Sequence, residues 1–178
     1  YTNAVIGPLS QIAAVAGTET LYLTGEDASI HQLDFPLGGG APIDTVLVAA
    51  GVIDGVLGLA AGAAELSGIT VFDALFLVVA EHATNTLLSV RRDLGTVLPL
   101  AGLPSPAGGY SDGQGGTIRF HFTAPVALFT DASGVVFVGD TENHALRQVE
   151  LGGIPVAATI TGTGAPGSAV GPLTITEM

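Results

Sequence analysis

Within one stretch of eight residues, Asp140, Asn143, His144 and Arg147 bring together a carboxylate, a carboxamide, an imidazole and a guanidinium. Two chemistries use such a set. If equivalent groups from several segments converged on one channel, carboxylate and imidazole could hold a divalent metal for lyase or hydrolase work. Taken locally, Asp140 and Asn143 hold a tight turn through side-chain to backbone hydrogen bonds, and Arg147 pairs with an acid on a neighbouring strand or blade. The local reading fits these residue types better, because turn positions of a repeated sheet more often lie on a rim than in a channel. Glu81, His82 and Asn85 are the equivalent set in the middle of the chain.

Other reactive patterns are missing or incomplete. His31, His82, His121 and His144 have no His-Glu-x-x-His spacing. The acidic turns Glu26-Asp27 and Asp140-x-Glu142 could hold calcium weakly, but lack the Asp-x-Asp-x-Asp-Gly order of a dedicated loop. There is no Gly-x-Ser-x-Gly elbow, and Gly38 to Gly40 is followed by neither lysine nor a helix, which argues against a phosphate cradle. Arg91-Arg92 reads as a solvated strand end. No cysteine is present, so disulfides, thiolate metal sites and cysteine nucleophiles are excluded together. The expectation is therefore no catalytic residue, no metal and no cofactor.

Charge narrows the partners. Sixteen acids face four arginines and no lysine, a net −12, so a phosphate backbone would be repelled and nucleic acid is not expected. Three tyrosines and no tryptophan leave little for stacking on sugars, which makes carbohydrate an improbable ligand. The most apolar stretch, Val46 to Ala64, is interrupted by Asp54 and by Gly51, Gly55, Gly58 and Gly62, so no membrane span is expected.

The elements that position these residues repeat. Val135 to Val149 aligns without a gap on Phe76 to Val90: a β-rich run, an acid (Asp140 or Glu81), a polar turn, then a second β run. Leu21 to Leu33 has the same shape with a shorter turn. Leu33, Val90 and Val149 are 57 and 59 residues apart, and Asp54-Gly55 and Asp112-Gly113 are 58 apart. Each unit reads as four short strands rich in Val, Ile, Leu and Phe. The expected strands are 12–16, 21–24, 29–33 and 45–49; then 69–72, 76–80, 86–91 and 96–100; then 125–129, 135–139, 145–150 and 156–161. Segments 103–116 and 162–172 read as Gly/Pro-rich linkers, and Val56 to Leu66 competes as a helix against its own Gly58 and Gly62.

Four-stranded units repeated in series are the blades of a β-propeller. The segment from Ser111 to Gly164 resembles an NHL repeat. It carries Asp112-Gly113, Phe122-x-x-Pro125, Leu128-x-x-Asp131-x-x-Gly134, and Phe137-Val138-x-Asp140-x-x-Asn143-His144-x-Leu146-Arg147-x-Val149, then the tail Thr159 to Gly164. The middle unit is a degenerate copy, with Glu81 for the aspartate and Asn85 in the histidine's slot, and the first is weaker still. The resemblance implies an all-β chain of three antiparallel propeller blades, with approximate repeats 7–55, 56–113 and 114–172 in one domain spanning 1–178. It also implies an interaction platform more often than an enzyme.

Three blades cannot close a ring, since propellers take about four to eight. Gly7-Pro8-Leu9 and Gly171-Pro172-Leu173 occupy similar places in the repeat, so the chain is expected to begin and end at corresponding points, as a processed or excised piece or a self-complementing protomer would. Open apolar sheet boundaries favour pairing. The functional expectation is a non-enzymatic, extracellular or cell-surface scaffold that contacts protein, copies of itself included, in a ring or a filament. The alternative is a metal-dependent propeller enzyme.

Overall fold

The computed structural model describes residues 9–167, an all-β chain of antiparallel sheets. Its strands are β1 (Leu9–Ala14), β2 (Thr20–Gly25), β3 (Ile30–Asp34), β4 (Ile43–Val48), β5 (Leu66–Val71), β6 (Phe76–Glu81), β7 (Thr86–Arg91), β8 (Val97–Ala101), β9 (Gly113–Gln114), β10 (Leu128–Thr130), β11 (Val135–Asp140), β12 (Ala145–Glu150) and β13 (Val156–Thr161). They form three up-and-down sheets, β1-β2-β3-β4, β5-β6-β7-β8 and β10-β11-β12-β13, the third extended by β9 along the edge of β13. Among the described residues the sheets do not close into a ring.

The two β runs of each repeat become hairpin partners in a matching register. Leu21 faces Leu33, Leu77 faces Val90, and Val136 faces Val149. The intervening turn places one non-glycine residue in the left-handed region in every sheet: Ala28 (φ 59), Asn85 (φ 59) and His144 (φ 46). Asparagine and histidine tolerate that region better than most residues, which explains the polar turn sequence.

Strand alternation divides the core in two. Leu77, Val79, Leu88 and Val90 face the first sheet, where they meet Tyr22, Ile30, Val48 and Ile53. Val78, Ala80 and Leu87 face the third, against Phe120, Phe122, Val136, Val138 and Val149. The middle sheet is thus buried on both faces, and the outer sheets on one. At about 1.5–3 kcal/mol for each fully buried Leu or Val, the middle sheet dominates the stability of the stack. The first strands lie side by side, with β5 between β1 and β10. Ser10 Oγ donates to Leu66 O (3.0 Å), Val126 N to Ser67 O (2.7 Å), and the Thr70 and Thr130 hydroxyls meet at 3.2 Å. Gly68 is needed at this seam: a Cβ there would sit 2.5 Å from Val126 O.

Several expectations are corrected. The strand expected at 12–16 is β1, which ends at Ala14 because Val15 to Thr18 turn back, Thr18 N donating to Val15 O. The strand expected at 69–72 starts at Leu66, since Ser67 and Gly68 form the seam with Val126. That expected at 125–129 is shortened to β10, because the Val126 N–H goes to the neighbouring sheet. The helix lies at Val52–Leu57 (α1), not 56–66, and Gly58 ends it (φ 67). Asp54-Gly55 and Asp112-Gly113 are not structural equivalents: the first is inside α1, the second opens β9. The boundary at 55–56 falls within α1 and that at 113–114 within β9, while Gly7, Pro8 and Gly171 to Leu173 lie outside the described residues.

Candidate functional site

Arg147 on β12 is the hub of the third sheet. It is fully buried and lies opposite Val138, pointing toward the middle sheet. Its guanidinium meets Asp140 Oδ2 at 2.7 Å and Asp112 Oδ1 at 2.7 Å, and also donates to the carbonyls of Ser111 (2.8 Å) and Arg119 (3.2 Å). The rings of Tyr110 and Phe120 lie 5.4 and 5.3 Å from its centre, so the cation is held between two aromatic faces. Its Nε has no partner. Arg147 therefore pins the connection between β8 and β10, which would otherwise be a long Gly/Pro-rich loop, onto the sheet.

Asp140 and Asn143 belong to the same cluster and tie their own turn side chain to side chain, not through its backbone as expected. Asp140 Oδ1 accepts the His121 N–H (2.8 Å) and Oδ2 accepts Asn143 Nδ2 (2.9 Å), while Asn143 also donates to Gly109 O (2.7 Å). The backbone partners come from the preceding connection. Burial pushes the Asp140 carboxyl above the usual carboxylate range, against the pull of Asn143, the His121 amide and Arg147. His144 stands apart: its left-handed backbone turns the ring to solvent, beside Thr161 and Gly162.

The middle sheet varies the theme without a cation, since Leu88 occupies the place of Arg147. Glu81 is fully buried and accepts from Glu65 N (2.9 Å), Ala83 N (3.0 Å), Thr84 N (2.8 Å) and the Thr84 hydroxyl. Asn85 bridges outward, donating to Ser105 O (2.8 Å) and accepting from Phe122 N (2.6 Å).

In the first sheet the acid's position is Gly25, and the carboxylate comes from Asp27 instead. Asp27 Oδ1 lies 2.6 Å from where a Gly25 Cβ would be. It accepts the Ser29 N–H (3.0 Å) and hydroxyl (2.5 Å), and the Ser29 hydroxyl holds its carboxyl below the usual range. Ser29 Oγ lies 3.1 Å from His31 Nε2, and His31 Nδ1 lies 2.9 Å from Asp44 Oδ1. The connectivity is that of a serine–histidine–aspartate relay, which sequence spacing did not reveal. Its chemistry differs from that of a nucleophile, because Ser29 is buried and its hydroxyl is engaged by Asp27, so a substrate carbonyl has no approach to Oγ.

Among the described residues no three His, Asp or Glu side chains gather to hold a metal ion, and no helix is long and apolar enough to cross a membrane. A groove of about 320 Å³ opens between the second and third sheets, lined by Phe72, Phe76, Val78, Leu98, Leu100 and Leu151, with few polar groups to orient a ligand. Between the first and second sheets Arg92 covers the Tyr22 ring at 5.2 Å and donates to its hydroxyl (2.9 Å).

The broadest unpartnered surfaces are the two outer sheet faces. On the first sheet Ile12, Leu21, Leu33 and Val46 share the face turned away from the stack with the His31–Asp44 pair and the buried Leu23, with Ile12 59% and Val46 55% exposed. On the third, Phe129, Phe137, Leu146, Val135, Val156 and Ala158 share the outer face with Gln148 and the exposed Glu150, with Phe129 62% exposed and its ring 6.3 Å from that of Phe137.

No family model and no curated protein matches the sequence. Among solved structures the chain is similar to an auxiliary nutrient binding protein from Bacteroides thetaiotaomicron, with a TM-score of 0.56 and 16% identity over 82% of this chain and 35% of that one. The likeness is one of fold, and this chain spans about a third of that protein's length.

Proposed function

We propose that this chain is a non-enzymatic interaction module built of NHL-like β-propeller blades, working outside the cell or at its surface and associating through its terminal sheets. The observation that carries this reading is the asymmetry of burial. The middle sheet is covered on both faces, while the first and third each leave one face open among the described residues, with Ile12, Val46, Phe129 and Leu146 exposed there beside His31, Asp44, Gln148 and Glu150. Exposed apolar surface bordered by polar groups marks an interaction site. The side-by-side first strands and the left-handed turn residue common to all three sheets support reading the sheets as blades. The titratable clusters serve to hold connections in place, and one solved structure similar to this chain is that of an auxiliary nutrient binding protein.

Elemental analysis of dialysed, folded protein tests the non-enzymatic part. Less than a tenth of an equivalent of zinc or calcium is expected. A stoichiometric metal would overturn it in favour of a metal-dependent enzyme.

A further inference from the structure

We infer that the groove between the second and third sheets binds a small arylalkylamine, with the aromatic ring lodged between the sheets and the cationic amine held at Asp73. The site lies inside the stack and does not depend on what meets the outer faces.

Between the first and second sheets the chain fills the corresponding space itself. Aligned by hairpin register, Tyr22 opposite Gln32 and Val78 opposite Ser89 occupy one position. Both lie on the front face of their sheet, the one turned toward the next sheet along the chain, and the back face is turned the other way. Arg92 follows Val90 by two residues as Leu151 follows Val149, so these two are equivalent as well. In the first gap the Arg92 guanidinium stands 5.2 Å from the centre of the Tyr22 ring, and its Nε donates to the phenol (2.9 Å). In the second gap valine stands for the tyrosine and leucine for the arginine. That exchange takes an aromatic ring and a cation from one place, and there the groove of about 320 Å³ opens, lined by Val78, Leu98 and Leu151. Its size suits a ring on a short chain.

Asp73 supplies the charge, and with Ser89 it is the polar part of the lining. The turn before β6 fixes its carboxylate: Oδ1 accepts the N–H groups of Leu75 and Phe76, both at 2.7 Å. Arg92 donates to the Asp73 carbonyl (2.7 Å), and among the described residues the carboxylate has no ion-pair partner. The two gaps are thus opposite in polarity. The first holds a built-in cation over a built-in ring, while the second presents a carboxylate beside an apolar slot. A ligand with both a ring and an ammonium group brings what the second gap lacks, and a net charge of −12 draws such a cation in.

Titration of the isotope-labelled full chain with phenethylamine, followed through its amide NMR shifts, tests this. Saturable shifts clustered at Phe76, Ser89, Leu98 and Leu151 are expected, with a dissociation constant of roughly 1 mM for so small a ligand in an open groove. The neutral analogue 2-phenylethanol should bind about two- to fivefold more weakly, as befits an exposed ion pair. Asp73→Asn keeps the oxygen that caps the turn and should erase the difference between amine and alcohol. Val78→Tyr combined with Leu151→Arg rebuilds the first gap in the second and should abolish both, and the Asp73→Asn comparison decides alone if that double variant does not fold. Shifts that do not saturate, or that spread over the acidic surface, would show the amine to be a mere counter-ion and overturn the inference. Equal affinity of wild type for amine and alcohol would overturn it too. Groove shifts that follow protein concentration without any probe would assign the groove to a second copy instead. Amine binding that appears only after removal of residues 168–178 would assign it to the chain's own C-terminal segment.

Discussion

His31 in the first sheet occupies the position that Arg147 occupies in the third: His31 lies opposite Leu23 as Arg147 lies opposite Val138. Each is held by a carboxylate, Asp44 at 2.9 Å and Asp140 at 2.7 Å. Leu88 fills the same position in the middle sheet. Two of the three sheets thus carry a polar anchor pointing from the back face, and in the third sheet that anchor holds the preceding connection through Ser111 and Arg119.

Arg147→Met removes the cation from a buried pair and leaves Asp140 uncompensated, which should cost about 3–5 kcal/mol of unfolding free energy. The sign of the pH effect follows from losing the pull of Arg147, which leaves burial to raise the Asp140 carboxyl further. A raised folded-state value contributes stability that is present in acid, below about pH 4, and is lost as pH rises through that value. Relative to wild type, the variant should be least handicapped near pH 4 and most at pH 8. Urea unfolding at both pH values checks this; an equal loss at both would contradict it.

Gly68→Ala should destabilise by about 1–3 kcal/mol, because its Cβ would press on the Val126 carbonyl at 2.5 Å, and backbone held between two sheets cannot easily yield. Gly152→Ala, where nothing lies within 4 Å, is the matched control and should change stability by less than about 0.5 kcal/mol. Equal urea midpoints for the two variants would refute the seam.

Much of the strand order is legible in the sequence because hairpin partners are local: Leu77 and Val90, or Val136 and Val149, are joined by one short turn. The polar cluster is legible only in part. Asp140, Asn143 and Arg147 are near neighbours in sequence, but Asp112 and Tyr110 reach Arg147 from a segment whose glycines and prolines read as a linker. The relay of Ser29, His31 and Asp44 was hidden for a related reason. Asp44 comes from the next strand, and Asp27 stands in for an acid that the shorter first turn replaces with Gly25.

Acid should weaken the fold through Asp54 and Asp131, whose carboxyls are held below the usual range. The Gly62 and Ala64 N–H groups do this for Asp54, and the Val135 N–H with the Ser133 hydroxyl for Asp131. For a lowered folded-state value the unfolded chain takes protons first. The stabilisation is present above about pH 4 and is lost as pH falls through the folded values. Asp54→Asn should flatten the dependence of the urea midpoint on pH between about 4 and 2. An unchanged acid limb would show that these carboxylates do not govern it.

Glu81 and Asp140 share one position of the repeat, yet their substitution by amides should differ in effect. Glu81 has no cation beside it and uses both oxygens to accept four hydrogen bonds, from Glu65, Ala83 and Thr84. An amide has one oxygen, so Glu81→Gln turns an NH2 toward donors and leaves at least one unsatisfied, at about 1–3 kcal/mol for each. Asp140→Asn also turns a donor toward donors, but it additionally removes the buried charge from Arg147, which keeps Asp112, itself 50% exposed. Salt then discriminates the two. The Glu81→Gln loss arises from hydrogen bonding in a buried turn and should be the same at low and high salt. The Asp140→Asn loss should change with salt, because the pair that remains is half in water and is screened there. Thermal unfolding of both variants with and without 1 M sodium chloride measures the contrast, and parallel salt responses would mean that Arg147 draws nothing from Asp112.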